Sequence, residues 1–293
     1  MNTILVLAYR RPYYLAQLLD GLLENDLRGY DVKIVFDNAK TDDVPPLQIE
    51  QLRKIESMPF DIEVVCRPKN LGPNENCFAS ILECMEYSNK LLYFEDDIIP
   101  LRGCIHWMNW ALDNVDTPSV NGFSITPRKD LHCGGGYISR VHGYDETYIE
   151  PDPSAYRIMN FWMNWALGLK ASSFDLIKPY MQAFLDDRKT CWKKMKVTSR
   201  HGTRFMNSDE FISDLYNDKG YMSAIPVVTR ALNVGIKDCE TIEATKACWM
   251  KWQPITSNDF PEQETYIEVE NRINELKPAP PLQVQKGFGV FRR

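Results

Sequence analysis

The sequence lacks any uninterrupted apolar stretch of the ~18 residues that a membrane-spanning helix needs, so no segment is expected to cross a bilayer. It has no CxxC pair among its eight cysteines and no HxxxH pair among its four histidines, which argues against a zinc site. The N-terminus, MNTILVLAYRRP, lacks a basic leader and a small-residue cleavage site; a signal peptide is therefore not expected, and a cytoplasmic location is. Without a secretory context the scattered thiols are expected to be reduced and mostly buried, with Cys77 and Cys84, seven apart in a helical pattern, in the core. Positive charge is in short supply as well. The net charge of −6 disfavours a non-specific nucleic-acid binder.

What is present is a composition ordinary for a globular protein, 44% hydrophobic and 25% charged, in 293 residues: one large domain or two modest ones. Apolar runs at 3–8 (TILVLA), 31–36 (DVKIVF), 61–67 (DIEVVCR) and 90–94 predict strands. Between them, helical spacing recurs after Pro12 (Leu15, Leu18, Leu19, Leu22, Leu23), over 46–57, and over 74–89, with Phe78, Ile81, Leu82 and Met85 facing inward. This alternation predicts an α/β fold with a mostly parallel, right-handed sheet flanked by helices. In such sheets ligands bind beyond the carboxyl ends of the strands, and three of these ends are polar: Tyr9-Arg10-Arg11, Asp37-Asn38 and Glu95-Asp96-Asp97. One shared pocket is expected there.

The second half is less regular. Helices are expected over 104–114, 171–186 and 209–218, and strands over 120–125 and 222–228. Residues 127–156, with GGG at 134–136, read as loop-rich, and the tail from Lys277 as extended and peripheral.

The stretch KLLYFEDDIIP (90–100) sets three acids directly behind a buried strand. Adjacent carboxylates repel unless a cation sits between them, and hard oxygen ligands of this kind select Mg²⁺ or Mn²⁺, often shared with phosphate oxygens. Such an ion would act as a Lewis acid toward a diphosphate leaving group. The plainer alternatives are a solvated loop or acids that favour a following helix N-terminus.

LAYRRPYYL (7–15), IVFDNAKTD (34–42), RPKNLGPNENCFASI (67–81) and YFEDDIIP (93–100) occur in the order in which GT-A-fold glycosyltransferases carry their first-strand turn, base-reading acid, helix-entry turn and metal-binding acidic segment. NFWMNWALGLKASSFD (160–175) and the stretch from Ser208 to Gly235 extend the likeness. The chain thus resembles that fold family, especially its family 2 and N-acetylglucosaminyltransferase I-like members, over most of residues 3–236. The resemblance implies a Rossmann-like GT-A domain over 1–240, whose 1–126 half binds a nucleotide-diphosphate sugar and whose 127–240 half faces the acceptor, with 241–293 as an extension packed on it. It implies that Ala8, Tyr9 and Arg10 border the nucleotide base and that Asp37 accepts from it. Glu95 and Asp96 would approach the ribose and sugar, and Asp97 would ligate Mn²⁺ or Mg²⁺. Arg67 would reach the base or phosphates, or lie at a surface strand end; Asn70 and Gly72 would shape the turn. Many relatives add a late histidine or aspartate to the metal. Here the last histidine is His201, so Asp238 or Glu240 substitutes, or Asp97 is the sole protein ligand.

Sugar transfer with inversion needs a base opposite the leaving group, and MNSDEFISD offers Asp209, slightly ahead of Glu210, at a helix start where Ser208 reads as the N-cap. Ordinary N-terminal helix chemistry would account for the same two acids. Trp162 and Trp165, three apart on an expected helix, are core residues or a stacking platform for sugar or acceptor; Trp165 is the better match to the family segment. The stretch 187–204 concentrates Lys and Arg in an acidic chain, which is a solvated loop or a dock for an anionic acceptor, a lipid phosphate or a nucleic-acid backbone. The acceptor would be a glycan, a lipid-linked glycan or, as in phage-type transferases, a hydroxymethylated DNA base. Two other readings stand beside the transferase: a sugar nucleotidyltransferase, disfavoured because LAYRRPYY has no glycine, and an inactive nucleotide-sugar binder, disfavoured by the intact acids.

Overall fold

The computed structural model describes residues 1–38, 46–122, 152–160, 162–198, 207–235 and 266–268. The GGG stretch, His201, Asp238, Glu240, the end of the basic 187–204 stretch and nearly all of the C-terminal extension lie outside the described residues.

The first hundred residues alternate as the sequence predicts: β1 (Asn2–Ala8), α1 (Pro12–Leu23), β2 (Tyr30–Phe36), α2 (Pro46–Glu56), β3 (Ile62–Cys66), α3 (Pro73–Met85) and β4 (Lys90–Glu95). β1 pairs in parallel with both β2 and β4, and β2 with β3. Side-chain alternation along β1 splits the molecule into two cores: Ile4, Val6 and Ala8 face one, Leu5 and Leu7 the other. The first core receives Leu15, Leu18, Leu19 and Leu22 of α1 and Ile55 of α2; the second receives Phe78, Ile81, Leu82 and Met85 of α3. Cys77 and Cys84 are buried free thiols, as expected.

After β4 the chain makes β5 (Ile98–Pro100), α4 (Cys104–Asn114) and β6 (Ser119–Asn121). It continues through β7 (Ala155–Met159), β8 (Leu167–Lys170), α5 (Ala171–Asp186), α6 (Cys191–Met195), α7 (Ser208–Lys219), β9 (Ser223–Pro226), β10 (Ala231–Asn233) and β11 (Ile267–Glu268). The nine-stranded sheet runs β11-β7-β9-β6-β8-β4-β1-β2-β3 and is mostly parallel; β8 runs antiparallel to both β4 and β6, and β7 antiparallel to β9. β5 and β10 form a separate antiparallel pair. Helices cover both faces, α1, α2 and α4 on one, α3, α5 and α7 on the other.

Of the stretch read as loop-rich, 127–156, only 152–156 are described, and β7 begins there at Ala155, paired with β9. One expectation needs correction here. Trp162 and Trp165 do not lie on a helix: residues 162–166 are irregular and lead into β8. Ala166 there adopts a left-handed φ of 50°.

Candidate active site

The carboxyl ends of β1, β2 and β4 open onto one cavity of about 360 Å³, lined by Ala8, Tyr9 and Arg11, by Asp37, by Gly72 and Asn76, and by Tyr93, Glu95 and Asp96. The register explains the convergence. Leu7 of β1 lies opposite Glu95 of β4 and Ala8 opposite Phe36 of β2, so the first residues past each strand emerge together. The Asp37 amide donates to the Ala8 carbonyl at 3.1 Å, extending the β1–β2 ladder into the site.

Asp37 shapes one wall. Its two carboxylate oxygens accept from the amides of Leu71 and Gly72, each at 2.8 Å. Gly72 has φ +79°, a conformation that side chains disfavour, and Pro73 follows at the first position of α3. The helix start, with its unsatisfied N–H groups and positive dipole end, thereby faces the cavity through Gly72, Pro73 and Asn76, a setting suited to an anion. Asn70 donates to the Asn38 carbonyl at 2.7 Å and ties the same turn to the end of β2.

The acids form the opposite wall. Asp96 is buried; it accepts from the Tyr9 amide at 3.2 Å and from the Arg11 guanidinium. Asp97 is 7% exposed and accepts from Arg11 Nη1 at 2.6 Å, while its Oδ1 is buried with no hydrogen-bond partner. Gly235 closes over this side chain, and a Cβ there would overlap the Asp97 carboxylate. The Val234 amide donates to the Asp97 carbonyl at 2.9 Å, a continuation of the β5–β10 pair. Glu95 accepts from the Tyr93 hydroxyl at 3.2 Å. Burial, and then the negative charges of Asp97, Asp209 and Asp96, push the Glu95 pKa well above its ordinary value. Burial also pushes Asp96 up to about 6, against the pull of Arg11. Burial opposes the Arg11 charge too, but the two aspartates outweigh it and raise its pKa.

Among the described residues no group of three or more His, Cys, Asp or Glu side chains forms a metal-holding cluster. The donor set nevertheless suits a hard divalent cation held by few protein ligands. The orphaned Oδ1 of Asp97 is a buried acceptor next to Asp96, which lines the cavity where phosphate oxygens and water can complete the shell.

α7 brings a further acid. Its N-cap is Asn207 rather than Ser208: Asn207 Oδ1 accepts from the Glu210 amide at 2.6 Å, and the Glu210 carboxylate accepts from the Asn207 amide at 3.3 Å. The reciprocal pair engages Glu210 in capping. Asp209 beside it has a sealed Oδ1 without a hydrogen-bond partner, and burial, then the Glu210 charge, push its pKa up to about 7. Asn74 of α3 accepts from the amide and hydroxyl of Ser208 at 2.7 and 3.2 Å, so the first turn of α7 is bonded to the first turn of α3.

The remaining sequence candidates sit elsewhere. Arg67 is committed to α3, donating to Asn76 at 3.1 Å, to Ser80 at 2.8 Å and to Glu83 at 2.7 and 2.9 Å. Arg10 stacks its guanidinium 5.2 Å from the Tyr9 ring centroid. Trp165 is half-buried against the α1-side core and does not line the cavity. Trp162 is buried against Tyr216, with its Nε1 donating to Asn164 at 2.8 Å. In the described part of the basic stretch, Arg188 pairs with Glu75 at 3.2 Å and Lys194 with Asp187 at 3.6 Å. The sequence sets Arg11 at a polar strand end without giving it a role of its own, and gives none to Tyr93 or Asn76; all three line the cavity. The only signal for Arg11 was its place between a strand end and Pro12, and neighbouring Arg10 carried the same signal.

No protein-family model and no curated protein matches the chain. Among solved structures it is similar to TarS 1-349 from S. aureus, with 10% identity, a TM-score of 0.43, and coverage of 84% of this chain and 68% of that one. It is similar to the mannosyltransferase PcManGT from Pyrobaculum calidifontis, in complex with GDP-Man and Mn²⁺, with 13% identity, a TM-score of 0.44, and coverage of 78% and 57%. It is similar to the galactosyltransferase LgtC, in complex with donor and acceptor sugar analogs, with 12% identity, a TM-score of 0.40, and coverage of 74% and 70%. No described helix is long and apolar enough to cross a membrane.

Proposed function

We propose that this chain is a divalent-metal-assisted, inverting glycosyltransferase of the GT-A type that moves a sugar from a nucleotide-diphosphate sugar to a hydroxyl acceptor. One observation carries the reading: a single cavity at the carboxyl end of a parallel sheet joins a helix N-terminus to Glu95 and Asp96, and the next residue, Asp97, has an orphaned, buried oxygen. An anion and a cation are both wanted there, and a diphosphate with its metal satisfies both.

Each chain group then has a task. Ala8 and Tyr9 border the base, with Arg10 behind the Tyr9 ring, and Asp37 holds the Leu71–Gly72 turn against it. The start of α3 faces the diphosphate. Glu95 and Asp96 lie toward the ribose and sugar, and Asp97 would hold Mn²⁺ or Mg²⁺. When bound, the ion supplies charge neutralisation of the departing diphosphate. The acceptor oxygen attacks the anomeric carbon as the bond from that carbon to the phosphate oxygen breaks, with inversion. The hydroxyl proton passes to Asp209, whose pKa of about 7 suits a base working near neutrality. Glu210, engaged in its capping box, keeps α7 in place.

A thermal-shift screen of nucleotide sugars with and without Mn²⁺ tests the reading. A donor present at 100 times its dissociation constant adds about 2.7 kcal/mol of stability. The shift is expected only with the metal present and only while Asp97 is intact. A metal-dependent shift that survives Asp97→Asn would refute the assignment.

A further inference from the structure

We propose that Arg11 is a gate on the acidic site: without a donor its guanidinium holds Asp96 and Asp97 closed to free divalent cations, and the donor's diphosphate draws it off so that metal and nucleotide enter together. The inference rests on the reading of Asp97 as the cation ligand and adds the rule by which that ligand becomes available.

The geometry makes Arg11 the movable partner. One arm of its guanidinium donates to Asp96 and the other to Asp97 at 2.6 Å, a planar fork matched to two carboxylates. The Arg11 side chain is 39% exposed, against 2% and 11% for the two acids. The acids are fixed from behind, Asp96 by the Tyr9 amide and Asp97 by Val234 and Gly235. Apart from the two acids, the Arg11 guanidinium meets the Tyr14 ring, 5.6 Å from its centroid, and Arg11 lies just before Pro12 on the cavity that the start of α3 also lines.

Charge balance makes the exchange obligatory. With Arg11 on Asp97 Oδ2, a divalent cation at the orphaned Oδ1 of the same carboxylate would sit beside a fixed positive charge, and the two repel each other. If Arg11 left with nothing in its place, two adjacent and largely buried carboxylates would stand uncompensated, which is strongly unfavourable. Free metal therefore competes with a tethered cation and binds poorly. A diphosphate offers Arg11 a new bidentate partner and delivers a cation to the vacated acids. Metal and diphosphate consequently favour each other's binding, by the same factor in both directions.

The test is a Mn²⁺ titration followed by the electron paramagnetic resonance signal of the free ion, on the unaltered protein, Arg11→Ala, Arg11→Lys and Asp97→Asn, each alone and with saturating UDP, GDP or CDP. The unaltered protein should bind Mn²⁺ weakly alone and more tightly with the diphosphate that fits. Arg11→Ala should bind Mn²⁺ alone at least ~10-fold more tightly than the unaltered protein, with a smaller gain from nucleotide. A folded Arg11→Ala protein with unchanged or weaker nucleotide-free affinity overturns the gate. If Mn²⁺ binding with diphosphate is then still lost in Asp97→Asn, the metal reading stands without it. If no variant binds Mn²⁺ under any condition, both fall. Should Arg11→Ala not fold, Arg11→Lys decides: a lone ammonium grips the pair less well than the fork, so an affinity equal to that of the unaltered protein overturns the inference.

Discussion

The two halves of the central sheet were built by different rules. From β1 to β4 every strand pairs with a sequence neighbour or its close kin, all in parallel, and every connection is a helix. From β6 onward, partners come from far along the chain: β8 wedges between β4 and β6, and β9 between β6 and β7. The first half spends its strand ends on charged and polar groups. The second carries the aromatic packing, such as Trp162 on Tyr216, and contributes one acid, Asp209, through α7. A cradle of local, regular geometry thus faces a wall assembled from distant pieces.

That division can be broken most severely at Asp97. Asp97→Asn should lower turnover by ~10³-fold or more and abolish metal-dependent nucleotide binding, read by transfer assay and thermal shift together. On the other side, Asp209→Asn should lower kcat by ~10²–10⁴-fold while donor binding persists, which separates wall from cradle. The same residue sets two pH dependences. Activity should rise with pH through about 7 as Asp209 loses its proton. Stability should fall from about pH 4 to about 7 and then level off, because a carboxyl whose folded pKa lies above its unfolded one binds more protons when native between the two values; denaturant titrations across that range should show this decline, reduced in Asp209→Asn.

Smaller effects sharpen the comparison through stability alone. A Cβ at Gly168 in β8 would meet Val120 Cγ2 at 2.5 Å, and a stiff β-branched neighbour between two strands has little room to give. Gly168→Ala should therefore destabilise by ~1–3 kcal/mol in urea unfolding. Smallest of all, Asn207→Ala removes the cap of α7 and should remove ~1 kcal/mol, with a loss of kcat exceeding the loss of donor affinity.

Legibility in the sequence followed the same divide. The strands and helices of the first half, and the longer helices α4, α5 and α7, have enough residues for apolar periodicity to declare itself. The strands that the sequence does not announce, β5, β7, β8, β10 and β11, have two to five residues each and take their shape from distant partners. Trp162 and Trp165 mimic helical spacing because both bury aromatic surface on the way into β8, one toward each core. At the site, strand ends announced Asp37 and the three acids. They could not reveal that Arg11 rather than Arg10 spans Asp96 and Asp97, since the direction of a side chain at a strand-to-helix turn depends on backbone angles that two consecutive arginines do not encode. Nor could they reveal that Asn207, not Ser208, caps α7, because both residue types cap well and lie side by side.

The bond from Asn74 to Ser208 spans 134 positions of chain and joins the opening turns of two helices, one at the cradle and one at the wall. Under the proposed roles, the helix start that faces the donor and the one that carries the proton acceptor are tied directly to each other, so a shift at one end is passed to the other.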